Sequence, residues 1–78
     1  MKGANLFKAN LENANLDGTD LSGATLYKAN LIGANLIGTY LTDVNLSGAT
    51  LERAHLEGAN LKNTKLKGAI MPDGTVHK

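Results

Sequence analysis

Two histidines and seven carboxylates are the only side chains in this 78-residue chain suited to proton transfer or metal ligation; it has no cysteine. His55 lies between Glu52 and Glu57, the densest cluster of such groups, while His77 lies on the C-terminal tail. A metal centre needs two or three further ligands converging on the same point. A glycosidase-like pair needs two carboxylates facing across a cleft, one with a raised pKa. Glu12, Asp17, Asp20, Asp43, Glu52, Glu57 and Asp73 all fall at positions that the chain's periodicity turns outward or on the tail. At a spacing of 20, Glu12 and Glu52 share a column with Ile32 between them and Arg53 beside Glu52. His55 stacks over Asn35 and Asn15. These neighbours are not metal ligands. The glycines recur at multiples of five with no GxxxxGK[ST] string among them, so they read as corners and not as a phosphate loop. No catalytic residue, metal ligand or cofactor site is expected.

What positions all of these residues is a leucine every five positions. Leu6, Leu11, Leu16, Leu21, Leu26, Leu31, Leu36, Leu41, Leu46, Leu51, Leu56, Leu61 and Leu66 keep that interval without a break. A helix turning about 100° per residue would scatter them round its circumference, and a strand would send alternate ones to opposite faces. Only a chain that turns a corner once per pentapeptide holds them in one environment. The residue two before each Leu is Ala, except at Thr19, Thr39, Val44 and Thr64. Residues two apart in an extended segment point the same way, so Ala and Leu share the inward face. The residue between them points outward and is most often Asn. These Asn read as backbone- or ladder-bonding residues.

The two residues after each Leu turn the corner, and the second is commonly Gly. Lys8, Lys28 and Arg53 occupy the same position, from which positive φ is not expected to be obligatory there. The number of pentapeptides per coil is less sharply marked. A spacing of 20 aligns Thr19 with Thr39, Val44 with Thr64, and Gly18 with Gly38 and Gly58. The string Leu-Ser-Gly-Ala-Thr, however, recurs at 21–25 and 46–50, a spacing of 25.

The Ala-Asn-Leu strings at 4–6, 9–11, 14–16, 29–31, 34–36 and 59–61 resemble the pentapeptide-repeat family over about residues 3–71. The Met-Pro-Asp-Gly-Thr segment at 71–75 is similar to the ending of many small, notably cyanobacterial, members. The resemblance implies an all-β fold, a right-handed quadrilateral β-helix with four pentapeptides per coil. Residues 1–71 would make about three and a half coils, a rod about 17 Å long at about 4.8 Å per coil. Residues 72–78 would form a turn and a tail capping the last coil over Leu66.

One small domain is expected, without signal peptide or transmembrane segment, since polar residues or Gly interrupt every apolar run. A soluble, cytoplasmic setting follows as the expectation. Eight Lys or Arg against seven Asp or Glu argue against both a nucleic-acid footprint and a polyanion mimic. The outward apolar residues Phe7, Tyr27, Ile32, Ile37 and Tyr40 are the candidate partner-binding patch. The expected function is a non-catalytic structural or protein-interaction module. Its partner would be another protein, or a second copy meeting it through that patch or the uncapped N-terminal coil. The family supplies an alternative, topoisomerase binding by DNA mimicry, but this chain is short, carries net charge +1 and has no helical C-terminal segment. An ice-binding face would need aligned threonines, which Thr25, Thr42 and Thr50 are not.

Overall fold

The computed structural model describes Met1 to Lys78. Each pentapeptide closes on itself by one bond: the Ala9 N–H donates to the Leu6 carbonyl at 2.9 Å, and the same bond recurs from Met1–Ala4 to Met71–Gly74. Through residue 68, φ is positive at the third residue of each turn and not at the second, the signature of a type II turn. Lys8, Asn13, Lys28, Asp43, Arg53 and Asn63 adopt φ of 57–62° there, like the glycines of the other corners. The expectation that positive φ is not obligatory at the position of Lys8, Lys28 and Arg53 is therefore wrong. The turn imposes the conformation, and the residue type decides only how much strain accompanies it.

Between turns, single parallel bridges join residues 20 apart, from Asn5↔Thr25 to Thr50↔Ile70. Four turns per bridge register make four sides, which settles the coil size left open by the 25-residue recurrence. Side 1 comprises residues 4–6, 24–26, 44–46 and 64–66; sides 2, 3 and 4 follow at 9–11, 14–16 and 19–21 and their 20-residue successors. The coil is a right-handed quadrilateral β-helix. Leu26 and Lys28 donate forward to the Asn45 and Ser47 carbonyls at 2.8 and 3.0 Å, and Asn45 donates back to Ala24 at 3.2 Å. No buried side-chain polar atom lacks a partner. The extents of 26 × 22 × 19 Å make a block about as wide as it is tall. No helix is long and apolar enough to cross a membrane.

Leu21 to Leu51 are fully buried with the Ala ladder beside them, and Leu16 is nearly so. Leu6, Leu11, Leu56 and Leu66 in the outer coils are half-buried, and Leu61 is exposed. Thr39 fits the buried Ala column because its hydroxyl donates to the Leu16 carbonyl one coil away at 2.9 Å; Thr64 does the same to Leu41 at 2.8 Å. The outward Asn act locally. The side chains of Asn5, Asn10, Asn15, Asn30, Asn35, Asn45 and Asn60 each accept the N–H two residues on, at 3.0–3.2 Å, and Asp20 does so at 2.9 Å.

The pattern changes at Pro72-Asp73-Gly74. Asp73 is not left-handed whereas Gly74 is, at φ 88°, so the type II pattern gives way to a type I turn whose last residue is left-handed, the geometry of a three-residue hairpin loop. The chain doubles back. Val76 pairs antiparallel with Ile70, the His77 N–H donates to Ala69, and the Gly68 N–H donates to the His77 carbonyl. The tail thus takes hydrogen bonds on side 2 that a further coil would take. The Pro72 carbonyl still accepts from Arg53, in register with the coil before it.

An L-residue in the left-handed region is strained by about 1–2 kcal/mol. A Cβ at Gly38 meets no atom within 4 Å, so Gly38→Ala should destabilise by about that amount through φ alone. Gly33→Ala should be worse, since its Cβ would collide with the Asn13 side chain. Arg53→Gly should instead raise stability by roughly 0.5–1 kcal/mol, the relief being partly offset by the entropy of an unfolded glycine. Urea unfolding of the three variants checks the order.

Candidate functional site: an aromatic corner on side 1

The turn between sides 1 and 2 places residues 7–8, 27–28, 47–48 and 67–68 in columns. A 20-residue step therefore puts Phe7 under Tyr27, and their rings stack with centroids 5.7 Å apart and planes within 8°. The ring spacing exceeds the coil rise of about 4.8 Å, as offset stacking requires. The ammonium of Lys8 lies 5.3 Å from the Phe7 centroid and that of Lys28 lies 5.4 Å from Tyr27, within cation–π range. Two stacked lysines repel each other, and each cation over its ring offsets part of that. Beside the rings, Asn5, Thr25 and Asn45 of side 1 complete a shallow open depression of about 460 Å³. It is the one depression in the surface.

The five outward apolar residues do not lie together. Phe7 and Tyr27 meet as described. Ile32 is half-buried on the corner between sides 2 and 3, Ile37 is exposed on the corner between sides 3 and 4, and Tyr40 is exposed on side 4. One pentapeptide is a quarter turn, so residues close in sequence are dealt to different sides. Lys8 and Lys28 belong with the aromatic pair and were not among the five; their signal was adjacency to Phe7 and Tyr27 at the same 20-residue spacing.

The candidate chemical groups stay apart. His55 is exposed on side 3, stacked on Asn35, and Glu12 and Glu52 sit two coils apart with Ile32 between them. No group of three or more histidines and carboxylates is close enough to hold a metal ion. Asp20 and Asp73 are held below the ordinary carboxylate value of 3.8. For Asp20 the hydroxyl and N–H of Ser22 are the main cause, with Lys2 and the N-terminus adding to it. For Asp73 the cause is Thr75, whose hydroxyl donates at 2.6 Å and whose N–H donates at 3.1 Å.

The sequence model described as pentapeptide repeats matches residues 4–43 and 39–73, with 8 copies. The chain belongs to the pentapeptide-repeat family. Among solved pentapeptide-repeat proteins, it is 39% identical to HetL of the cyanobacterium Nostoc sp. strain PCC 7120, a protein involved in heterocyst differentiation regulation. That alignment covers 99% of this chain and 40% of HetL, with a TM-score of 0.60. It is 42% identical to Rfr23 of the cyanobacterium Cyanothece 51142, over 95% of this chain and 54% of that one, with a TM-score of 0.61. A third, also from Nostoc PCC 7120, is 44% identical over 87% of this chain and 64% of that one, with a TM-score of 0.53. This pentapeptide-repeat chain thus spans two-fifths to just under two-thirds of these relatives. No match is found among curated proteins.

Two outcomes follow for this corner and the carboxylates. A double-mutant cycle with Phe7→Ala and Tyr27→Ala should give a coupling of about 0.5–1.5 kcal/mol in thermal stability; additive losses would mean the rings do not stack in solution. Asp20 and Asp73 have folded pKa values below their unfolded ones, so what they add to stability is present above 3.8 and is lost as pH falls through their lowered values. In melts taken from neutral pH downward, Asp20→Asn/Asp73→Asn should therefore flatten part of the acid decline. An unchanged profile would assign that decline to other groups.

Proposed function

We propose that this structural repeat protein is a non-catalytic protein-interaction module, with the aromatic corner as its contact. The observation that carries this reading is the exposed, stacked Phe7–Tyr27 pair beside the one surface depression. In the middle coils the backbone is engaged in building the coil, and the outward Asn side chains of the sides are spent on the chain's own N–H groups. Among the exposed large apolar side chains, Phe7 and Tyr27 are the two that stack on each other, and aromatic side chains are favoured anchors in protein interfaces. From HetL we carry over a role in regulation, exercised through binding. A DNA-mimicking contact with gyrase has less support, given net charge +1.

A second copy is the partner within reach of a direct test. Light scattering over a concentration series should find a mass above the 8.2 kDa monomer that Phe7→Ser/Tyr27→Ser returns to monomer. A mass that the double variant leaves unchanged would remove the aromatic corner as the contact.

A further inference from the structure

A net charge of +1 conceals an uneven distribution. Side 1 and its flanking corners carry Lys2, Lys8, Lys28, Lys62, Lys65 and Lys67, six of the eight cationic side chains, against one carboxylate, Asp43. Side 3 and its flanking corners carry Glu12, Asp17, Glu52, Glu57 and Asp73, five of the seven acidic ones, with Arg53 the one Lys or Arg. The 20-residue register enforces the separation. Sides 1 and 3 back onto opposite faces of the same leucine core, so the two sets point away from each other and cannot pair within one chain.

Each of these faces also has apolar residues along an edge. On side 1 they form the Phe7–Tyr27 stack. On side 3, Ile32 stands between Glu12 and Glu52 along one corner, and Ile37 between Asp17 and Glu57 along the other. The same acid–isoleucine–acid column therefore borders side 3 on both edges.

We infer that side 1 of one copy docks on side 3 of another, lysines against carboxylates, with the Phe7–Tyr27 column packed along one isoleucine-bearing edge of side 3. The inference rests on the aromatic-corner reading above and adds the surface that the corner meets. Such a contact joins different faces, so a pair still has one side 1 and one side 3 free at its two ends and association continues as an open row. The molecular extents limit the area to about 400 Å² per partner, about 800 Å² in total, below the range of standard stable interfaces. The row is accordingly weak, reversible and favoured by concentration. Its charge pairs are solvent-exposed and lose strength as the Debye length shrinks to about 10 Å in 0.1 M salt. A foreign polyanion would account for the lysines of side 1 but leaves the paired columns of side 3 unused, which is why a second copy is the better fit.

The test uses wild type, Phe7→Ser/Tyr27→Ser (side 1 disabled) and Glu52→Lys/Glu57→Lys (side 3 disabled), with circular dichroism confirming that each is folded. In low salt, wild-type mass should rise past the dimer with concentration and fall when salt is added. Each variant alone should stay monomeric. Their equimolar mixture should form a one-to-one pair and stop there, because one intact side 1 meets one intact side 3. A wild type that stops at a dimer overturns the inference. So does a Glu52→Lys/Glu57→Lys chain that associates like wild type while Phe7→Ser/Tyr27→Ser does not, an outcome that leaves the aromatic-corner reading standing. A wild type that is monomeric throughout and binds oligothymidylate or polyglutamate on side 1 overturns the docking of copies and assigns the lysines to that anion. A monomer that binds neither overturns the docking of copies.

Discussion

The fold depends on one closure: the carbonyl of each residue at the leucine position is captured by the N–H three residues later. That closure fixes the corner, and four corners return the chain to its starting azimuth one coil higher. Coil stacking, the leucine ladder and the columns of surface residues are consequences of it. Left-handed Lys8, Lys28 and Arg53 show which effect prevails. A local strain of about 1–2 kcal/mol each is outweighed by the forward bond each corner N–H makes to the next coil and by the leucines that register buries.

Polar groups are disposed of by the same economy. Short side chains satisfy backbone groups at close range, as with Asn35 and the Ile37 N–H at 3.0 Å. A buried Thr39 finds its acceptor across one coil boundary. Longer side chains are left without a structural task, and they are the ones that differ from side to side. The corners are where a substitution changes the surface without touching the core.

The inward ladder was legible because leucine and alanine keep one period over nearly the whole chain. The turn was legible as Pro-Asp-Gly, although the antiparallel return of Val76 to Ile70 and the change of turn type were not. Left-handed corners were misjudged because Lys8 and Arg53 have no intrinsic taste for positive φ; tertiary bonding selects it. The column of Phe7 and Tyr27 was legible from the spacing, and so was the spread of the other apolar residues over successive faces. Ile32, Ile37 and Tyr40 are neighbours along the chain and occupy two corners and a side in space. Segregation of charge was hidden in a total near zero, and it emerges once the bridges fix 20 residues per coil.

The 20-residue register also constrains how such a chain can change length. Inserting or deleting a single residue breaks every leucine beyond it out of the core. A whole pentapeptide preserves the core but rotates everything downstream by a quarter turn. Placed between Asn45 and Asn60, it would move Lys62, Lys65 and Lys67 off the side that carries Lys2, Lys8 and Lys28. Only additions of 20 residues leave both the interior and the arrangement of its sides intact. In a lineage where a particular side matters, lengths should therefore differ by complete coils, and where only the scaffold matters, by single repeats.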